Sequence, residues 1–451
     1  MKKLVSIFKN KEIMNRILFT ILILFIFRIG AQITVPGVTI GEELGGYLQE
    51  SNALSLMNLL GGGTLQSFSI FALGVSPYIT AQIIVQLLAT DVLPALSDLK
   101  RQGQHGRRKM ELATRYLTLM LGAVQAYGIV KTMESSSYIT FDAGSNPWLT
   151  YTYVVIIMLA GTMTVMWLGD QISVKGIGNG ISMIIFAGIV SSLPSQMGTA
   201  FSKWVIATQG MGDQAQLTGI FQFLLYVLSY LIIIAFVTFI ELSKRKIPVQ
   251  HSGKGGGQTA SMAKASFLPI KINSAGVIPV IFASSILTAP SVIVAFIDAE
   301  AVDANWLGIF SYSTMFDMGG WSMPWGLIIY LALTVAFTFF YANIQINPEQ
   351  LAENFQKNGS YIPGIRPGNE TERYVRKVLN RVTVLGALAL AFIAALPPIL
   401  TMSGVFGGNT NLALGGTGLI IVVGVALEIN NQIDGLLAGK SFDEVVASGG
   451  Q

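Results

Sequence analysis

The chain has 451 residues, of which 52% are hydrophobic and only 12% are charged. Soluble proteins carry about a quarter charged residues, so the composition excludes a water-soluble enzyme and a disordered chain. The sequence has no cysteine and two histidines, which excludes disulfide bonds and thiolate metal sites, and we predict no metal ion and no cofactor.

Ten apolar segments predict ten transmembrane helices, because about 20 apolar residues cross a bilayer. The predicted spans are residues 17–35, 74–93, 112–132, 149–168, 181–197, 217–240, 274–297, 323–346, 382–402 and 415–433. The lysine-rich N-terminus resembles the start of a signal peptide. We interpret the first apolar segment as a retained span, since it is long and further spans follow.

The basic residues test this topology independently. When the N-terminus is placed inside, 25 of the 28 Lys and Arg residues fall in inner segments. Only Lys131 and Lys203 fall in outer loops, and Arg28 lies within span 1. Cytoplasmic loops hold the excess of Lys and Arg, so the sequence predicts that both termini are cytoplasmic.

The segment between spans 1 and 2 fits neither a span nor an ordinary loop. It is apolar, but Gly61, Gly62, Gly63, Ser67 and Ser69 interrupt it. One interpretation is an outer amphipathic loop. The other is a short re-entrant segment, which is tolerated at membrane depth only where protein or a water-filled cavity surrounds it. The pattern leaves both open.

An internal repeat indicates two halves. Span 2 opens with residues 74–79 and span 7 with residues 276–281, and both read G-V-x-P-x-I. Two five-span halves would run these segments in opposite directions, as an inverted repeat requires. We therefore predict an N-terminal half at 1–198, a C-terminal half at 199–437 and a cytoplasmic tail at 438–451.

Ionisable residues are scarce inside the spans. Arg28 lies in the outer half of span 1, where its long side chain could reach the interface or bond neighbouring carbonyls, and Asp170, Glu241 and Glu428 lie at inner span ends. We interpret these residues as interfacial anchors. An ion-coupled solute transporter and an intramembrane protease are the alternative functions, but both need buried ionisable groups that this pattern does not supply. The segment Gly435–Ser441 has one residue too few between its glycines for a phosphate-binding loop.

Isoleucines recur near the predicted midplane. In spans 2 and 5 they are four residues apart, hence on one helix face, and spans 7 and 10 each add one. The residues are Ile79, Ile83, Ile181, Ile185, Ile281 and Ile421. They are either ordinary packing residues or a hydrophobic constriction that excludes water and ions.

Two predicted cytoplasmic loops, residues 241–271 and 347–381, are long and basic. Positive-inside anchoring explains part of this charge, and the excess favours docking of a large anionic or acidic partner. The candidate docking residues are Lys244, Arg245, Lys246, Arg366, Arg373, Arg376 and Lys377.

Six stretches of the sequence resemble the SecY family, the central subunits of the bacterial protein-conducting channel. They are FSIFALGVSPYITAQIIVQLL from Phe68, GRRKMELATRY from Gly106, GIGNGISMIIFAGIV from Gly176, AGVIPVIFASSI from Ala275, YIPGIRPG from Tyr361 and GGTGLIIVVGVALE from Gly415. The resemblance extends over nearly the whole chain.

The resemblance implies an all-α membrane protein with two inverted five-helix halves around an hourglass pore. It implies a passive channel for unfolded secretory proteins, with lateral release of nascent membrane proteins between spans 2/3 and 7/8, and not an enzyme. The six isoleucines would form the pore ring. The plug, at about 61–73, would include Gly61, Gly62, Gly63, Thr64, Leu65, Gln66, Ser67, Phe68 and Ser69.

The resemblance also implies the partners and the location. These are the SecE and SecG subunits, the SecA ATPase, the ribosome, preproteins with signal sequences and membrane lipid, in the bacterial cytoplasmic membrane. The stretch at 250–257 and the tail from Lys440 depart from the family pattern. An accessory paralogue with altered partner binding is therefore an alternative to the general channel.

Overall fold

The computed structural model describes residues 10–41, 61–89, 104–135, 137–141, 147–208, 213–251, 266–297, 322–402 and 415–448, with a few isolated positions between them. Within these ranges the chain is mainly helical, and its short strands lie in the connections between helices. The N-terminal lysines, the acidic connection after span 7 and the glycine-rich residues 252–257 lie outside the described residues.

Each of the ten predicted spans coincides with a helix, and the described residues add one short α-helix and a π-helical segment, Ser202–Ile206, that follows α5. The helices are α1 (Lys11–Gly30), α2 (Ser76–Leu88), α3 (Gln104–Ser135), α4 (Pro147–Lys175), α5 (Gly180–Phe201), α6 (Asp213–Leu242), α7 (Ile278–Ile297), α8 (Trp325–Gln345), α9 (Pro348–Lys357), α10 (Asn369–Met402) and α11 (Gly415–Ser448). The unpredicted helix is α9, whose N-terminus is capped by the Asn347 side chain.

Several helix bounds differ from the predicted spans, most of all at the end of α11, which extends to Ser448 instead of residue 433. Helix α1 ends at Gly30 rather than at residue 35, because the next residues turn and pair with the backbone of a later segment. Helix α10 begins at Asn369, well before the predicted residue 382. Its first turns are amphipathic, with Val375 and Leu379 buried, so they pack on protein and were not recognised as part of an apolar span.

Several helices have the length and composition of membrane spans. Among the described residues, seven helices are long and apolar enough to cross a membrane, and Ser76–Leu88 and Ile278–Leu287 are shorter apolar helices. Large apolar side chains such as Phe25, Leu224 and Leu388 are more than half exposed on these helices. Such exposure is unfavourable in water, so the chain is a multi-pass membrane protein.

The main apolar core contains side chains from every long helix except α3. Helix α3 packs instead in a second core, together with residues 65–73 and part of α4. Helix α7 contacts both α3 and α2. The long helices therefore form one continuous bundle in which an early segment, residues 61–75, is enclosed.

Seven short strands lie in the connections. They are β1 (Val38–Ile40), β2 (Ile139–Phe141), β3 (Lys244–His251), β4 (Ser266–Lys271), β5 (Phe316–Asp317), β6 (Ser322–Met323) and β7 (Ser360–Tyr361). Three antiparallel sheets result: β1 pairs with β2, β5 pairs with β6, and β4, β3 and β7 form a three-stranded sheet in that order.

Candidate functional site

The six predicted pore isoleucines, which we call the isoleucine cluster, all belong to the main apolar core or pack against it. The side chains of Ile79, Ile83, Ile185 and Ile421 are buried, and those of Ile181 and Ile281 are half-buried and pack against the same cluster. They belong to four helices, α2, α5, α7 and α11. The surrounding core also contains aromatic side chains, among them Tyr226 and Phe282.

Glycines allow the helices that carry these isoleucines to approach their neighbours. A Cβ on Gly180, at the start of α5, would lie 1.7 Å from the carbonyl oxygen of Gly169 in α4. The same turn is capped by Asn179, whose side chain accepts a hydrogen bond from the backbone N–H of Ile181 at 3.1 Å. These contacts fix the position of the first turn of α5 and hence of Ile181.

The glycine-rich segment, residues 61–75, is buried within the bundle. It consists mainly of turns, and the side chains of Leu65, Phe68 and Ser69 are fully buried. The interpretation as an outer amphipathic loop is therefore wrong. Backbone without helical hydrogen bonds is tolerated at membrane depth only when protein or a cavity surrounds it, and here protein does.

Backbone pairing joins this segment to the residues after α1. The N–H of Val35 donates to the carbonyl of Phe68 at 3.0 Å, and the N–H of Ile70 donates to the carbonyl of Ile33 at 2.9 Å. The Ser67 hydroxyl donates to the Ala31 carbonyl at 3.1 Å. These bonds satisfy polar backbone groups that would otherwise be buried without partners.

Close glycine contacts join the same segment to α5 and α4. A Cβ on Gly62 would lie 2.6 Å from the Cα of Gly188 in α5, so the two backbones touch directly. A Cβ on Gly161 in α4 would lie 1.8 Å from the carbonyl oxygen of Ile70. Side chains at these positions would displace the segment or the helix.

Three of the predicted interfacial anchors have protein partners. The Arg28 guanidinium donates to the carbonyl of Gly62 at 2.9 Å, so for this residue the structure shows the carbonyl-bonded alternative. Glu241 is buried and accepts from the amide of Asn273 at 2.5 Å. Asp170 pairs with an arginine of α3, at 2.6 Å, whereas Glu428 is exposed.

The predicted docking residues of the first basic connection lie on strand β3. Lys244, Arg245 and Lys246 are exposed, while Ile247 and Val249 are buried. The Lys246 ammonium group lies 4.8 Å from the centre of the Phe267 ring on β4. The strand therefore presents its charged residues outward and anchors itself through alternating apolar residues.

The second basic connection packs on the first. Strand β7 pairs with β3 through Gln250 and Tyr361, and both connections contribute to an apolar cluster with the start of α10. Arg366 is exposed in the loop before α10, and Arg373, Arg376 and Lys377 are exposed on its first turns. All seven predicted docking residues thus belong to one structural layer, which we call the basic layer.

Sequence reasoning missed the sheet and a neighbouring cavity. The alternation of buried and exposed residues in 246–250 is the period-2 signal of a strand and could have predicted β3. A cavity of about 830 Å³ lies between the ends of α2 and α8 and the start of α10, lined among others by Gln86, Met110, Asn343 and Asn380. It lies where spans 2 and 3 face span 8.

Similarity to known proteins decides the family. The sequence model of the SecY family matches residues 69–430. The protein translocase subunit SecY of Lactococcus lactis subsp. lactis is 43% identical over 444 residues, covering 98% of this chain and 97% of that protein. The chain belongs to the SecY family.

Solved SecY and Sec61 channels share the fold. A SecY structure, described as showing that the plug domain stabilises the closed state and maintains a membrane seal, matches with a TM-score of 0.66 at 18% identity, covering 93% of this chain and 91% of that one. Sec61 in the canine ribosome–channel complex matches with a TM-score of 0.62 at 18% identity and the same coverage. The prediction of a ten-helix SecY-type fold is confirmed.

Membership in the SecY family confirms the predicted function class. The family consists of protein translocase subunits, which are channel components and not enzymes. Among the described residues, no group of three or more His, Asp and Glu side chains is placed to hold a metal ion.

Proposed function

We propose that this chain is the pore-forming subunit of a protein-conducting channel in a bacterial cytoplasmic membrane. The observation that carries the proposal is the arrangement along α5. Ile185 belongs to the isoleucine cluster, and Gly188, three residues later, touches the glycine-rich segment. Residues three apart share a helix face, so the enclosed segment lies one turn of helix from the apolar cluster.

In this proposal the six isoleucines form the constriction and the glycine-rich segment is the plug. An aliphatic ring excludes water and ions when closed. An unfolded secretory chain would part the side chains and displace the segment without breaking hydrogen bonds within the ring. The halves 1–198 and 199–437 would separate during this step.

Lateral release would use the contact between α7 and the pair α2 and α3. The packing of α7 on both helices supports this route. Opening there would expose a nascent membrane segment to lipid. The cavity between α2 and α8 lies at one end of the same seam, and the Tyr341 hydroxyl donates to the Gln86 side chain across it.

The proposed orientation places the basic layer and both termini in the cytoplasm, because the Lys and Arg excess lies on that side. The exposed cations of β3 and α10 would bind the SecA ATPase or the ribosome. A ribosome is named for the Sec61 complex that shares this fold. SecE and SecG would complete the complex, and signal-bearing preproteins would be its substrates.

The decisive experiment is SecA- and ATP-dependent transport of a preprotein into vesicles that contain this chain with SecE. We expect the preprotein to become protected from added protease. A folded, SecE-bound complex that transports nothing with SecA, but does so with ribosomes, would redirect the proposal to the ribosome route. Failure with both would contradict it.

The constriction can be tested separately in planar bilayers. Ile281→Asn and Ile421→Asn introduce an amide into the cluster, and we expect the resting ion conductance to rise several-fold because a polar group favours wetting. Ile281→Leu keeps the site apolar and should retain the seal. Unchanged conductance in both Asn variants would contradict the ring assignment.

A further inference from the structure

Three structural features converge on Gly62. Its backbone has φ of +78°, a conformation that residues with a Cβ rarely adopt. Its carbonyl accepts the hydrogen bond from the Arg28 guanidinium at 2.9 Å. Its Cα faces Gly188 so closely that a Cβ on Gly188 would lie 2.5 Å from it.

We propose that Arg28 and Gly188 form a latch that holds the glycine-rich segment in the closed channel, with Arg28 binding it to α1 and Gly188 seating it on α5. This inference rests on the proposed function, since it assigns the two positioning residues for the plug. The latch acts on the closed channel and does not alter the proposed conducting pathway.

The hydrogen bond from Arg28 supplies an attraction that disappears on opening. A hydrogen bond from a charged donor is stronger than one between neutral groups, and the Arg28 side chain is half-buried, where such a bond is less weakened by water. If the segment leaves, both the guanidinium and the Gly62 carbonyl lose this partner. Arg28 therefore favours the closed position.

The glycine contact connects the latch to the constriction. Gly188 lies three residues from Ile185 and follows it on the same face of α5. A translocating chain that pushes Ile185 outward would move this part of α5 and separate Gly188 from Gly62. The segment would then be released when the ring widens, so the latch makes plug movement dependent on the substrate.

The chain offers matched controls for the glycine contact. Gly198 lies on the same helix as Gly188, but a Cβ there would meet nothing within 4 Å. Gly188→Ala and Gly198→Ala therefore place the same methyl group on the same helix, and only the first presses on the glycine-rich segment. Arg28→Lys retains a cationic donor, whereas Arg28→Gln removes the charge.

The test measures how often the segment opens. The natural chain has no cysteine, so S69C provides a single thiol at a fully buried position of the segment. Complexes with SecE are placed in nanodiscs, and the rate of alkylation by a water-soluble maleimide is measured by mass spectrometry. We expect slow labelling of S69C alone and about tenfold faster labelling when Arg28→Gln is added, the factor expected for losing one charge-assisted hydrogen bond. Gly188→Ala should also label faster, because its added Cβ presses on Gly62.

The controls separate the latch from general damage. Gly198→Ala should label at the rate of S69C alone, and Arg28→Lys should fall between Arg28→Gln and the parent. The latch would be overturned if Gly198→Ala accelerated the labelling of S69C as much as Gly188→Ala does. It would also be overturned if Arg28→Gln did not accelerate labelling, or if Gly188→Ala did not. SecA-dependent transport is measured on the same complexes. If the proposed function is wrong, the parent complex itself will not transport; if only the latch is wrong, it will.

Discussion

The glycine-rich segment and the basic layer are two regions that the sequence linked to function, and they are stabilised in different ways. The segment is enclosed by helices and held through backbone contacts, as between Gly62 and Gly188. The basic layer lies at helix ends and is held by an ordinary sheet whose apolar face includes Ile247. Its charged residues remain exposed.

This difference follows from the solvent around each region. Where no water is available, every polar backbone group must find a protein partner, so the segment depends on a few positions that permit close approach. At the helix ends, water can solvate the backbone and the charges, so the layer depends on its buried apolar residues and tolerates exchange of the exposed ones. The following substitutions test this contrast.

The largest effect is expected from Gly161→Ala in α4. The added Cβ would lie 1.8 Å from the carbonyl oxygen of Ile70, so the helix or the segment must move, at a cost of about 3 kcal/mol in stability. Thermal unfolding of the purified complex should occur at a clearly lower temperature than for Gly198→Ala, which meets no neighbour. Equal midpoints would show that the enclosed region is more adaptable than its contacts indicate.

A smaller loss is expected from Ile247→Ala in β3. Removing a buried aliphatic side chain costs about 2 kcal/mol or more, but the loss should be confined to the basic layer. Limited proteolysis should cleave the connection between α6 and α7 faster, while the labelling rate of S69C stays at the parent value. Faster labelling of S69C in this variant would contradict the independence of the two regions.

Charge reversal at Arg366 tests the function of the layer. Arg366→Glu should lower SecA-dependent transport about tenfold, because a repulsive charge replaces an attractive one in the proposed interface, with membrane insertion unchanged. Lys357→Glu is the control, since Lys357 is also exposed and pairs only with Glu353. If both variants transport normally, Arg366 does not contribute to docking.

The smallest effect is expected from Lys246→Ala. Its ammonium group lies over the Phe267 ring at 4.8 Å, and an exposed contact of this kind contributes about 0.5 kcal/mol. The unfolding temperature should change little, and transport should fall only slightly. A collapse of stability would mean that exposed residues of the layer are as constrained as the glycines of the enclosed segment.

The sequence predicted the features that depend on composition. Ten spans and the exposed cations follow from hydropathy and charge, each of which is a property of neighbouring residues. The grouping of the six isoleucines into a constriction stays a prediction. The start of α10 was missed because its amphipathic turns bury Val375 and Leu379 against protein and so do not have the hydropathy of a membrane span.

The remaining features depend on residues that are distant in the chain. Gln250 bonds to Tyr361 across a separation of 111 residues, and no local pattern identifies that partner. Likewise, nothing near Arg28 indicates that it binds the carbonyl of Gly62, and nothing near Gly188 distinguishes it from Gly198. Such contacts are fixed by the packing of whole helices.

The pairing of β3 with β7 has a mechanical consequence. These strands join the connection between α6 and α7 to the chain between α9 and α10. A force that pulls on one connection is therefore transmitted to the other. A force applied to Arg245 on β3 would pass through the sheet and its apolar cluster into the first turns of α10. The two connections would thus move as one unit, and a partner bound to either of them would exert force on α6, α7 and α10 together.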